Sequence, residues 1–189
     1  MISNRERVFN NTIDLLLSVS WTQKITAEHY DLLSKYSTWI KWIRIFSTLL
    51  TSTTVATLFA SNNFKTKLAA IVGSILLTLL EIITNQFNIE KSMAKLSILK
   101  EELWNIKIDI TGLARRLKCV SDDVKIDELE VGYNDLLNKV KSIQAEIPSA
   151  PKISIVNASR DIHERNDNDI WNDREKLLPR DILHFKEND

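Results

Sequence analysis

IFSTLLTSTTVATLFASNNF, residues 45–64, and LAAIVGSILLTLLEIITNQFNI, residues 68–89, are separated by Lys65, Thr66 and Lys67 alone. The first stretch carries no charge and the second carries one, Glu81. A hydrocarbon core of roughly 30 Å takes about 20 helical residues to cross, so each stretch is long enough. The connection between them is too short for anything but a hairpin. The spacing predicts spans over about 42–63 and 68–88.

The two spans are not equivalent. Residues 68–89 contain twelve Leu, Ile, Val or Phe, each favouring insertion by about 0.3–0.6 kcal/mol and together by ~4–7 kcal/mol, against on the order of 3 kcal/mol for a mid-bilayer acid. Residues 45–64 hold only eight such side chains among many hydroxyls, so this span depends on its partner helix. Trp39 and Trp42, beside Lys41 and Arg44, form an interfacial belt with snorkelling cations. Lys65 and Lys67 anchor the opposite turn. Cations precede the hairpin at Lys35, Lys41 and Arg44 and follow it at Lys91, Lys95 and Lys100, which predicts both ends on the cytoplasmic side. The competing reading is a buried hairpin inside a soluble helical bundle.

On a helical wheel Ser74, Thr78, Glu81 and Asn85 share one narrow face. Ser47, Thr51, Thr54, Thr57 and Ser61 fall within about a third of the first span's circumference. Each helix therefore carries a polar stripe on an apolar body. The stripes either line a wet path between associated hairpins or provide close packing, because small hydroxylated residues let helices approach and bond back to their own carbonyls. The balance favours packing for the hydroxyls. For Glu81 it favours an oligomer interior or aqueous lining, where intramembrane acids usually face. A ring of Glu81 would favour cations.

After the second span the apolar positions keep a four–three beat at Ile89, Met93, Leu96, Leu99, Leu103, Ile106, Ile110, Leu113, Leu117 and Val120, a heptad seam. Gly112 is its weak point. Ser121, Asp122 and Asp123 read as a break with a new N-cap. A second seam follows at Ile126, Leu129, Tyr133, Leu136, Val140, Ile143 and Ile147. These two helices form either an intramolecular antiparallel pair or an intermolecular coiled coil. Upstream, Val8–Val19 predicts a short amphipathic helix, and Thr26 is a candidate cap for another running into the first span. Pro148 and Pro151 end the helical region. The charged tail holds a β-like run, Ile153–Val156, and a weakly apolar patch at Trp171, Leu177, Leu178, Ile182, Leu183 and Phe185. That patch is either a docking element or partly disordered.

The expected fold class is thus an all-α membrane protein. A two-helix transmembrane hairpin continues into long cytosolic helices packed as a bundle or coiled coil, with a short charged C-terminal tail. Its parts are N-terminal helices over 1–38, the hairpin over 39–89, heptad helices over 90–147 and a tail over 148–189.

Chemistry is sparse. Lys plus Arg balance Asp plus Glu at 25 each, so there is no global field for nucleic acid. The single Cys119 cannot form an internal disulfide, and a buried inert thiol is its expected state. His29, His163 and His184 lack metal-ligand spacing. No phosphate-binding or nucleophile motif is present, and no cofactor is expected. The Arg115, Arg116 and Lys118 cluster reads as a solvated face rather than a phosphate site. No cleavable signal peptide is expected, because Asp14 interrupts the short apolar run.

Ala27, Glu28, His29 and Tyr30, the hairpin, the run Phe87 to Met93, and Leu103, Trp104, Asn105 and Ile106 together resemble the SLATT domain. This is a two-span effector family associated with bacterial nucleotide-signalling and SLOG conflict systems. The resemblance covers roughly residues 1–147. It implies an antiphage effector in the bacterial inner membrane that oligomerises, permeabilises or depolarises the membrane, and stops growth of the infected cell. It further implies a separate sensor: a nucleotide-signalling enzyme, a SLOG protein, or a reverse transcriptase with an RNA or DNA element. Direct nucleic-acid binding is not expected. The alternatives are a membrane-anchored coiled-coil scaffold without pore activity and a holin-like or toxin membrane protein.

Overall fold

The computed structural model describes residues 4–60, 64–87, 89–119, 123–164 and 177–182; within them, the side chains at 50–60, 66, 70, 80, 81, 83–87, 123, 124, 163 and 180 fall outside the description. Five helices follow in order: α1 (Asn4–Ala60), α2 (Phe64–Phe87), α3 (Ile89–Cys119), α4 (Asp123–Glu146) and α5 (Lys152–His163). A 3-10 turn lies at Arg180–Ile182. No strand occurs among the described residues. The chain divides into two compact units, residues 1–30 with 96–189 and residues 31–95.

The first unit is a helical bundle built on the expected heptad seam. Leu96, Leu99, Leu103, Ile106, Ile110, Leu113 and Leu117 of α3 are all buried. They recur every three or four residues, so they line one side of the helix. Val8, Phe9, Ile13, Leu15, Leu16 and Val19 of α1 join most of them in one core with Val140 of α4. Leu129, Tyr133, Leu136, Ile143 and Ile147 of the second seam pack partly buried against that core. The seam's intramolecular reading therefore holds. Arg5 lies beside Leu117 and Tyr30 beside Lys100, so α1 and α3 run antiparallel. α4 reverses direction again, with Glu130 beside Arg7 and Gly132 against Leu113.

Two local expectations change. Thr26 does not cap a new helix: α1 runs unbroken for 57 residues, and the Thr26 hydroxyl donates to the Thr22 carbonyl at 2.7 Å. Thr12, Thr22 and Thr38 make the same bond one turn back. A β-branched hydroxyl thus satisfies itself inside a helix and starts nothing. The run Ile153–Val156 is not a strand but the first turns of α5. Its alternation yields to a four-residue repeat: Ser154, Ala158 and Ile162 are buried, while Ile153, Ile155 and Val156 stay exposed. Packing of that stripe outweighs local β-propensity.

The tail returns to the bundle. Leu178 and Ile182, at 7% and 0% exposure, belong to the same core as α1 and α3. These two residues of the weakly apolar patch therefore pack against the chain's own helices. Trp171, Leu183, Phe185 and His184 lie outside the described residues, as do Val120, Ser121 and Asp122.

Candidate functional site: the apolar-surfaced hairpin

The second unit inverts the burial pattern of the first. On α2, Leu68, Ile71, Val72, Ile75, Leu76, Leu79 and Ile82 are each about half exposed. With Ser74 and Thr78 they cover more than half of the helix circumference at ~100° per residue. Gly73 and Leu77 are less exposed and lie on the other side. On α1, Trp39, Trp42, Ile45, Phe46 and Leu49 are likewise exposed, Trp39 at 69%. The kinds of aliphatic side chain that form the buried side of α3 are exposed here. Soluble monomers seldom expose a contiguous apolar surface beyond a few hundred Å², which makes this surface the candidate functional site.

Three of the described hydroxyls on the hairpin bond back to their own helix. The Ser74 hydroxyl donates to the Ile71 carbonyl at 2.8 Å and Thr78 to the Ser74 carbonyl at 3.0 Å. Thr48 donates to the Arg44 carbonyl at 2.8 Å. Such bonds lower the cost of taking a hydroxyl out of water. Ser47 is half-buried. The side chains of Thr51, Thr54, Thr57, Glu81 and Asn85 lie outside the described residues, as does all of Ser61. Among the described residues no helix is long and apolar enough to cross a membrane.

The flanking groups are arranged as an exposed belt. Lys41, Trp42 and Arg44 are exposed, and the Trp42 and Phe46 rings stand 6.3 Å apart. Lys41 also pairs with Glu90 at 3.7 Å, joining α1 to the first turn of α3. Sequence reading missed this pair, which spans the whole hairpin and leaves no local signal. Lys65 and Lys67 are exposed beside Phe64 at the turn. Asn88, between α2 and α3, lies outside the described residues.

The bundle unit carries the remaining polar features. Lys24 of α1 binds Asp161 of α5 at 2.8 Å and Glu28 at 3.3 Å. Burial opposes the Lys24 charge, but the bonds to Asp161 and Glu28 overcome it and raise its pKa. The Asp161 carboxyl is held below its usual range by its bond to Lys24. Arg115 binds Asp181 at 2.6 Å, and the Lys118 ammonium donates to the Asp181 carbonyl at 2.6 Å. The Asp181 carboxyl is depressed by Arg115 accordingly. Arg115 and Lys118 of the basic cluster are therefore engaged by the chain's own tail, while Arg116 is exposed. Cys119 is exposed, contrary to the expected buried thiol, because it closes α3 beyond the last buried seam residue, Leu117.

His29 lines a cleft of about 260 Å³ with Thr22, Ile25 and Thr26 of α1, Gln144 of α4, and Ile147, Pro148, Ser149 and Ala150. The residue is 9% exposed, its Nδ1 has no hydrogen-bond partner among the described residues, and burial lowers its pKa. His163's side chain and all of His184 lie outside the described residues. No group of three His, Cys, Asp or Glu side chains able to hold a metal occurs among the described residues.

These features define an all-helical protein in which a core-forming bundle accompanies a hairpin with an apolar outer surface. Residues 13–175 match the SMODS and SLOG-associating 2TM effector domain family 4, and the chain belongs to that family. No curated protein and no solved structure matches it.

Proposed function

We propose that this chain is a membrane effector of a bacterial antiphage system, inserting its hairpin into the inner membrane and permeabilising it as a homo-oligomer. The observation that carries the reading is the half-exposed aliphatic surface of α2 beside the exposed Trp39 and Trp42. Hydrocarbon is the solvent that suits such a surface. The run 68–89 has the length and hydropathy to span, and Glu81 is its single charge. In this reading both termini are cytoplasmic, with Lys65 and Lys67 at the outer interface and Trp39, Lys41, Trp42 and Arg44 at the inner one. Fourteen residues from Lys67, at 1.5 Å each, put Glu81 about 21 Å inward, in the inner third of the core.

Oligomeric hairpins would then gather Ser74, Thr78, Glu81 and Asn85, with Ser47, Thr51 and Thr54, along a wet path. The trigger is a separate sensor acting on the bundle: a nucleotide-signalling enzyme, a SLOG protein or a reverse transcriptase module. α1 and α3 each supply residues to both units, so they are the segments through which a change in the bundle would reach the hairpin.

The back-bonded hydroxyls of Thr48, Ser74 and Thr78 favour a second reading. They need no water, which suits tight helix packing in a scaffold that anchors the bundle without a pore. Dye and ion flux from liposomes containing the purified protein separates the two. The effector reading predicts leakage on activation and a change in cation selectivity with Glu81→Gln. Liposomes that stay tight when the cognate sensor is active would sink it and leave the scaffold.

A further inference from the structure

We propose that the C-terminal end of α3 is a docking groove for a short acidic–aliphatic peptide of a partner protein, filled in the isolated chain by residues 178–182. The inference is independent of membrane permeabilisation. The bound segment supplies the recognition pattern. Leu178 and Ile182, four residues apart, enter the core. Between them Asp181 presents its carboxylate to Arg115 and its carbonyl to Lys118. The 3-10 turn at Arg180–Ile182 sets that geometry, with the Ile182 amide donating to the Pro179 carbonyl at 3.1 Å.

The receiving surface is built mainly by the bundle itself. Lys118 also lies over the Phe9 ring at 5.8 Å, and the Arg5 guanidinium donates to the Leu117 and Lys118 carbonyls. The two helix ends are therefore tied to each other without the tail. Undocking it leaves an apolar notch beside Arg115, Arg116 and Lys118, complementary to a carboxylate flanked by aliphatic side chains.

The tail's hold is small. Two apolar side chains are buried, while the Arg115 and Asp181 side chains remain more than half exposed at 56% and 53%. Exposed pairs add little, and ordering the segment costs backbone entropy comparable to the gain from two buried aliphatics. A segment of the same pattern, offered by a partner at high local concentration, can therefore replace it. The residues concerned also lie beyond the stretch matched by the family, which ends at residue 175.

The test uses the full chain in detergent and a fluorescent peptide of residues 175–185. Ile182→Asp releases the tail, and circular dichroism checks that the helices persist. Anisotropy should show the peptide binding this variant at least tenfold more tightly than the wild type. Adding Arg115→Asp should weaken binding several-fold, and a peptide carrying Asp181→Arg should restore it. A folded Ile182→Asp chain that does not bind, or binds no better than wild type, overturns the proposal. So does charge reversal without rescue. If the wild-type chain instead forms an oligomer that Ile182→Asp dissolves, the groove belongs to the tail of a second copy and the partner reading fails.

Discussion

Arg5, in the first turn of α1, caps the end of α3: its Nε donates to the Leu117 carbonyl at 2.8 Å, across 112 positions of sequence. The last carbonyls of a helix have no partner in their own ladder, and a cation there also opposes the negative end of the helix dipole. Arg5→Ala is expected to lower stability by about 1 kcal/mol. Denaturant unfolding in detergent, followed by circular dichroism, measures it. An unchanged midpoint would mean the cap contributes nothing.

Leu103 is fully buried at the centre of the α3 seam. Leu103→Ala should cost about 2–5 kcal/mol, from lost transfer energy plus the cavity left behind. Ile108→Ala, on the same helix but 54% exposed, should stay within about 0.5 kcal/mol. Similar losses for both would contradict the orientation of α3.

Gly112 lies inside α3, and a Cβ placed on it meets nothing within 4 Å. Gly112→Ala should therefore stabilise the bundle by roughly 0.5–1 kcal/mol through helix propensity and the unfolded-state entropy of glycine. A lowered unfolding midpoint would show that the open space is filled.

His29 is buried with its pKa lowered from 6.5. Below pH 6.5 the unfolded chain gains a proton that the folded one resists, so stability should fall as pH drops from there through the depressed folded value. His29→Phe should flatten that limb of the stability profile. A wild-type profile already flat between pH 6.5 and 5 would refute the assignment.

Asp161 and Asp181 act in a lower window. Each carboxyl is depressed below its ordinary 3.8, by Lys24 and by Arg115 respectively. The unfolded state therefore takes up protons first on acidification, and each pair's contribution is present above the ordinary value and lost as pH falls through the folded one. Amide hydrogen exchange should show α5 and residues 177–182 losing protection near and below pH 4, before α3 does. Lys24→Met should remove the effect in α5 alone. Simultaneous loss across all helices would show that the pairs do not act locally.

Periodicity made much of the fold legible. Leu96, Leu99, Leu103, Ile106, Ile110, Leu113 and Leu117 were readable as a buried seam because side chains three and four apart must share one side of a helix. The apolar runs marked the hairpin for the same reason, and the residues around it carried the resemblance to the family. What failed was local inference at Thr26, Ile153–Val156 and Cys119. A hydroxyl that bonds one turn back does not start a helix, and a stripe at Ser154, Ala158 and Ile162 overrode β-branched neighbours.

The sequence by itself determined that the chain is helical, where its apolar faces lie and which family it belongs to, since these depend on composition and spacing along one segment. Only the tertiary structure decided that Arg5 closes α3, that Lys24 holds α5, that Lys41 meets Glu90, and that Ile182 and Asp181 occupy the end of the bundle. Each of these joins residues far apart in the chain. Such pairings leave no periodic trace, because they depend on where the helices have already been brought by burying their seams.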